Sequence, residues 1–384
     1  MEAYFDNSAT TRVLDSVRDI VVKTMCEDYG NSSSRHSMGM KAEQYIREAR
    51  SIIAGTLKCK EKEIIFTSGG SESNNMALIG TALANRRRGM HIISTAVEHA
   101  SIYNTIGFLE EQGFSVTYLP VDHQGHISLE ELQAAIRPDT ILVSVMYVNN
   151  EVGAVEPVDR IGALVHACNP DCYFHVDAIQ AYGKYEIRPR RMGIDLLSVS
   201  GHKIHGPKGV GFLYADSRVK IRPLIYGGGQ QNGMRSGTEN VPGVAGLGVA
   251  AKEMYTDHRE KIDRLYALRA YLMEGLRTLP EIVINSEEGR AGAPQIVSVS
   301  FGGVRAEVLL HALEDRGIYV SSGSACSSHH PGISGTLKGI GVAPEYLDAT
   351  LRFSLGLFNT REEIDYCIEV LGELLPVLRK YRRG

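Results

Sequence analysis

At 384 residues the chain is long enough for two domains and a large core. Its 43% hydrophobic and 22% charged residues are ordinary for a soluble globular protein. A net charge of −4 gives no reason to expect nucleic acid or an anionic membrane as the main partner. No apolar run nears the roughly 20 residues of a membrane helix. The opening MEAYFDNSATT lacks the basic-then-apolar order of a secretion signal, so the expectation is a cytoplasmic protein. Arg86–Arg88 and the basic C-terminus read as solvated ends. Six cysteines do not frame a disulfide scaffold in a chain of this length. Cys168 and Cys172 form a C-x-x-x-C without a second pair, so structural roles are expected for Cys26, Cys59, Cys168, Cys172 and Cys367.

In chain order, β-rich apolar runs predict strands at Glu63–Ser68, His91–Ala96, Ser115–Val121, Ile141–Val148, Cys172–Asp177, Leu196–Val199 and Gly211–Tyr214. Helical periodicity between them predicts helices at Ser71–Asn85, Ser101–Gln112 and Val158–Cys168. Alternation of this kind implies an α/β fold with a mostly parallel seven-stranded sheet covered on both faces. Ligands of such sheets bind beyond the carboxyl ends of the strands. A glycine-rich stretch at 227–233 interrupts the pattern, and long helical periodicity runs from Val244 to Leu279. Strands at Ile282–Asn285 and Gln295–Phe301 follow. A helix at Ala306–Arg316, a strand at Ile318–Ser321 and a closing helix at Arg361–Tyr381 complete a smaller α+β C-terminal domain. The expected division is a large domain over 13–255 and a small domain from 1–12 and 256–384.

The segment SGHKIHGPKG at 200–209 places Lys203 just past an apolar strand. Lysine is usually a solvated surface residue, and one at the ligand-binding edge can form a Schiff base with an aldehyde cofactor. No phosphate-loop pattern surrounds it. His202 and His205 suggest a metal pair, but no further ligand has suitable spacing. In HVDAIQ at 175–180, Asp177 ends an apolar strand, where a carboxylate needs a positive partner such as a pyridinium nitrogen. The alternative is a strand-end Asp that caps a helix. TSGGSESN at 67–74 follows a strand and opens a helix, so its backbone N–H groups and the Ser71 hydroxyl can meet a phosphate. The same residues also cap helices without any ligand. His99, again at a strand end, can stack on a planar ring and move protons, or serve structure alone.

Cys326 lies in SSGSACSS at 321–328, followed by His329, His330 and Pro331. This small, polar stretch reads as a loop suited to movement, and a thiol beside histidines can act as a nucleophile. An incidental exposed cysteine and an incomplete zinc site are the alternatives. Arg352, in the alternating run TLRFSLG at 350–356, would face inward and need an anion. A substrate carboxylate or a structural salt bridge meets that need.

These motifs carry a resemblance. SGHK-x-HGPKG, HVDA-x-Q, VNNE-x-G, MRSGTEN and SSGSACSS in this order resemble the NifS/IscS-type cysteine desulfurases, in the class-V branch of fold-type-I pyridoxal-phosphate (PLP) enzymes. The resemblance runs from Phe5 to Phe358. It implies that Lys203 forms the Schiff base, Asp177 pairs with the pyridinium and Gln180 donates to the cofactor's phenolic oxygen. It implies that His99 stacks on the ring and that Gly70, Ser71, Ser200 and His202 surround the phosphate. Thr238 would reach the phosphate site of a neighbouring subunit, which implies a homodimer with shared sites. Asn150 and Arg352 would contact the carboxylate of L-cysteine, with Asn31 as a further candidate. Asn150 would also border the cofactor, and Cys326 would form the persulfide.

The implied reaction turns L-cysteine into L-alanine. Lys203 removes the α-proton, His99 carries protons, and the Cys326 thiolate attacks the substrate sulfur. A sulfur-acceptor protein such as an iron–sulfur scaffold, or thio-cofactor and tRNA thiolation machinery, would receive the sulfur. No resident metal, nucleic acid or membrane is implied. A selenocysteine lyase or cysteine lyase of the same branch and a non-catalytic assembly scaffold are the rival readings. The chain departs from the family pattern at Gln231-Asn232, where the family shows an acid and a base. It departs again at Leu357, where Arg is usual, at Gly70-Ser71, where Ala-Thr is frequent, and in the His pair after Cys326.

Overall fold

The computed structural model describes residues 1–322 and 334–381. Eight of its strands precede the glycine-rich stretch: β1 (Ala3–Tyr4), β2 (Ile64–Thr67), β3 (His91–Thr95), β4 (Ser115–Leu119), β5 (Thr140–Met146), β6 (Tyr173–Asp177), β7 (Leu196–Ser200) and β8 (Gly211–Ala215). Strands β2 to β8 form one sheet in the order β2-β8-β7-β6-β5-β3-β4. All pairings are parallel except those of β8, which runs against both β2 and β7. Strands β5, β6, β7 and β8 are buried at every position. They read as continuous rather than alternating apolar runs because helices cover both faces. On one face, the helices Asp15–Cys26, Ser37–Leu57 and Val241–Tyr255 pack on one another.

The later strands are β9 (Ile282–Ile284), β10 (Ile296–Phe301), β11 (Ile318–Tyr319), β12 (Ser321–Ser322) and β13 (Thr350–Ser354). A four-stranded antiparallel sheet has the order β12-β13-β10-β9, and β1 pairs in parallel with β11. The helices His258–Arg277, Ala306–Glu314 and Arg361–Leu378 share a separate apolar core with these strands and with Ala3 and Phe5. The N-terminal strand therefore belongs with the C-terminal α+β part, and the chain crosses to the large sheet at Ser8 and Ala9.

Three elements differ from the sequence reading. The periodicity over 244–279 is two helices, because Asp257 adopts a left-handed φ of 48° that ends one helical path and starts another. The predicted strand Ile318–Ser321 is split: Ile318 pairs with Ala3, whereas Ser321 pairs with Arg352. The helix that starts at Gly70 opens into a wider π turn at Met76–Gly80 before closing at Thr81–Asn85. Helical periodicity persists through such a turn, so the pattern does not reveal it. Helices Asp15–Cys26, Ser37–Leu57 and Leu129–Ala135 were not anticipated.

Candidate active site

Strands β2, β3, β5, β6 and β7 end on the same edge of the sheet, and their following turns enclose a cavity of about 290 Å³. Gly70 and Ser71 arrive from β2, His99 from β3, Asn150 from β5, Asp177 and Gln180 from β6, and Ser200, His202 and Lys203 from β7. Ser8 and Ala9 close one side, and Arg352 reaches in from β13. Ten of the thirteen candidate residues thus meet at one place.

Lys203 sits in the short turn after β7, and its Nζ donates to the carbonyls of Ser8 at 2.5 Å and Ala9 at 2.6 Å. Gln180 Nε2 donates to the same Ser8 carbonyl at 3.0 Å. His202 lies 3.3 Å from the Thr10 hydroxyl through Nδ1. Burial and then the Lys203 charge push the His202 imidazolium down to about 4, so it is a neutral ring at pH 7.

Asp177 forms the floor and is 4% exposed. Its Oδ1 accepts from the Ile179 N–H at 3.0 Å and its Oδ2 from Asn74 Nδ2 at 2.9 Å. Burial pushes its carboxyl upward, and those hydrogen bonds only partly offset the effect. Asn74 Nδ2 also donates to the Ser101 hydroxyl at 2.9 Å, which lies 2.8 Å from His99 Nδ1. The Ser101 N–H donates to the same His99 nitrogen at 3.1 Å. With Nδ1 accepting, neutral His99 carries its ring hydrogen on Nε2. Asn74 and Ser101 escaped the sequence reading because Ser and Asn near helix starts look like ordinary caps.

Arg352 is 4% exposed, donates to the Asn150 carbonyl at 2.8 Å and pairs with Asp6 at 3.1 Å. Its Nε is buried with no hydrogen-bond partner among the described residues. A guanidinium with one unused buried donor beside a cavity is suited to a further anion. Asp6 carries no local signal in the sequence, since its partner Arg352 lies far along the chain. Glu151, next to Asn150, accepts from the Ser334 hydroxyl at 2.5 Å. Ser322 pairs with Leu351, next to Arg352, and Ser334 bonds Glu151, next to Asn150; in the sequence these two serines bracket the segment that holds Cys326.

At the far end, Gly70 permits close packing: a Cβ there would stand 2.2 Å from Ile179 Cδ1. Gly69 has φ 146° and faces the Ser200 hydroxyl. This leaves a small-residue cradle at the start of the helical run 70–85. Thr238 and Asn31 are exposed and do not line the cavity. Asn31 Oδ1 instead accepts from the Ser33 N–H at 2.9 Å. Cys326, His329 and His330 lie outside the described residues. Burial pushes the thiols of Cys59, Cys172 and Cys367 up to about 12, which leaves them protonated and inert.

The departures at Gln231 and Leu357 have local explanations. Gln231 Oε1 accepts from Arg50 and from the Phe66 N–H, both at 3.0 Å, and its amide donates to Glu239. Glu239 thus supplies the negative charge near Arg50 that Gln231 lacks. Leu357 packs against the main core, and its carbonyl accepts from Arg264 at 2.7 Å.

The fold and this cavity define a class of protein. The sequence profile described as aminotransferase class-V matches residues 3–367, and the chain belongs to that family, in its NifS/IscS-type cysteine desulfurase branch. It is 45% identical to "Cysteine desulfurase IscS" of Methanosarcina thermophila over 376 residues, covering 98% of this chain and 92% of that protein. It is 44% identical to a protein of the same name from Clostridium botulinum, covering 99% and 96%. A solved "NIFS-LIKE PROTEIN" superposes with a TM-score of 0.93 at 39% identity, covering 98% of this chain and all of that one.

PLP is the cofactor of this family. The residues present fit it. The sealed carboxylate of Asp177 needs a cation, which a protonated pyridine ring provides, and Gly70, Ser71, Ser200 and His202 line the cavity at the start of the helical run 70–85, where backbone N–H groups can meet a phosphate.

Proposed function

We propose that the chain is a PLP-dependent cysteine desulfurase that transfers sulfur from L-cysteine to Cys326, with Lys203 as the cofactor lysine. The carrying observation is that the Lys203 amine, the buried Asp177 carboxylate and the partly satisfied Arg352 guanidinium line one cavity. Lys203 would hold the aldehyde, Asp177 the ring nitrogen, and Gly70, Ser71, Ser200 and His202 the phosphate, while His99 would stack and Gln180 would hydrogen-bond the ring oxygen. When bound, PLP supplies an electron sink for the α-carbon of an amino acid.

The chain's own groups do the rest. Arg352, with Asn150, grips the substrate carboxylate and so orients the α-hydrogen and the sulfur. Lys203, released from the cofactor, takes the α-proton. The His99 Nε2–H is placed to exchange protons, because Ser101 occupies Nδ1. The Cys326 thiolate attacks the substrate sulfur; an S–S bond forms, the C–S bond breaks, and the carbon fragment takes the electron pair and a proton to become alanine. In the sequence Cys326 follows Ser322 by four positions, and Ser322 pairs with Leu351, the neighbour of Arg352.

The proposal includes a large domain over 13–255 and a small domain from 1–12 and 256–384, in keeping with the separate cores of the two parts. It also includes a homodimer in which Thr238 serves the neighbouring site, with Asn31 as an outer substrate contact. A sulfur-acceptor protein such as an iron–sulfur scaffold would take the persulfide sulfur. No helix among the described residues is long and apolar enough to cross a membrane. The test is incubation of PLP-loaded protein with L-cysteine and a reductant, with alanine and sulfide assayed together. Equal amounts of both, lost in Cys326→Ala, are expected. Pyruvate and ammonia would show an elimination lyase instead, and a fully active Cys326→Ala would refute the thiol assignment.

A further inference from the structure

We propose that Lys184 is a positioning residue for Lys203: its buried ammonium holds the backbone of the lysine turn and opposes protonation of the Lys203 nitrogen. This inference rests on the reading of Lys203 as the cofactor lysine. Lys184 lies in the turn that follows β6, on the side of Lys203 away from the main cavity, and is 7% exposed. Its Nζ donates to the Lys203 carbonyl at 2.6 Å. A buried ammonium is normally matched by a carboxylate. Here the charge acting on it is another amine, that of Lys203.

Several features make this pairing matter. Lys184 and Lys203 both line a cavity of only about 10 Å³, which leaves little room for water between them on this side of Lys203. Burial and then the Lys203 charge push the Lys184 ammonium down to about 7. Two such groups titrate as a pair, and each positive charge makes the other harder to add. The remaining neighbours mostly favour a protonated Lys203. Asp6 and Asp177 face it, and the Ser8 and Ala9 carbonyls accept from it. His202 and His205 are both pushed to about 4 and are neutral near pH 7. Lys208 is exposed, so water screens it. Arg352 is a second buried cation, in the main cavity, and is paired with Asp6, whereas Lys184 is the buried cation bonded to the lysine turn itself.

The consequence is a Lys203 nitrogen that loses its proton at lower pH than Asp6, Asp177 and two carbonyl acceptors would otherwise allow. A neutral lysine nitrogen is the form that attacks an aldehyde and accepts an α-proton. The hydrogen bond to the Lys203 carbonyl has a separate, mechanical effect, since it pins the turn from behind.

The test uses PLP-loaded wild type, Lys184→Met, Lys184→Gln and Lys184→Arg. The absorbance of the lysine-linked cofactor is titrated across the neutral range, and borohydride reduction with peptide mapping locates the attachment. Gln keeps a donor for the Lys203 carbonyl without the charge, and Arg keeps a charge. The expected result is a protonation midpoint raised by about one pH unit in Met and Gln, a roughly tenfold gain in proton affinity, with Arg near or below wild type. A Gln variant that titrates like wild type, or an Arg variant raised as far as Met, would overturn the electrostatic role. Attachment at Lys203 with unmoved midpoints overturns this inference alone, whereas attachment at another lysine overturns the cofactor assignment as well.

Discussion

Glu98 gives a quantitative test of the electrostatics beneath the cavity. The residue is only half-buried, yet its carboxyl group is sealed in: Oε1 accepts from the Thr95 hydroxyl at 2.9 Å and the Met146 N–H at 2.8 Å. Oε2 is shut from solvent with no hydrogen-bond partner among the described residues. Burial, reinforced by the charges of Asp177 and Glu156, pushes this carboxyl from 4.5 up to about 8. The folded protein therefore holds a proton here that the unfolded chain releases, so stability is greatest at low pH and is lost as pH rises from 4.5 toward 8. One pH unit in that window is worth about 1.4 kcal/mol, so raising the pH from about 6 to about 8 removes roughly 2 kcal/mol through this one group. Glu98→Gln keeps an acceptor for Thr95 and Met146 and cannot ionise. Thermal unfolding midpoints of the cofactor-free protein, measured at both pH values for wild type and variant, isolate the term. The variant is expected to lose less stability between the two and to be the more stable at the higher pH. An unchanged pH slope would refute the reasoning.

The other predictions concern packing, substrate grip and the relocated charge. Gly211→Ala would place a Cβ 2.4 Å from the Val199 carbonyl oxygen and 2.8 Å from the Gly69 Cα, both of them backbone. It is expected to cost about 1–3 kcal/mol and to weaken PLP retention through Gly69, read by melting temperature and by cofactor loss on dialysis. Arg352→Lys loses the planar fork that serves Asn150, Asp6 and the unused Nε, so KM for L-cysteine should rise about tenfold or more while kcat falls less, as measured by alanine formation. Gln231→Glu would set a second carboxylate against Glu239 and is expected to destabilise by on the order of 1 kcal/mol. The double variant Gln231→Glu/Glu239→Gln should recover that loss in a chemical denaturation series, and failure to recover it would show that the two side chains are not coupled.

The sequence marked the strands of the large sheet in chain order, though not their order across the sheet, and it named ten of the residues that line the cavity. Apolar runs such as Thr140–Met146 are buried along their whole length, so composition marks them as strands whatever surrounds them. Candidate side chains at strand ends, including Asp177, Ser200 and Lys203, stand out because a polar group directly after such a run needs a reason. The tertiary structure decided what depended on partners distant in the chain. Asp6 gains its meaning from Arg352, and Ile318 and Ser321 join different sheets because Ala3 and Arg352 reach them from opposite ends of the chain. Glu98 and Lys184 look like ordinary charged residues in a string of letters. Only the fold removes water from around them and sets Glu98 near Asp177 and Lys184 behind Lys203, and charge burial is a property of the surroundings, which a local sequence pattern does not encode.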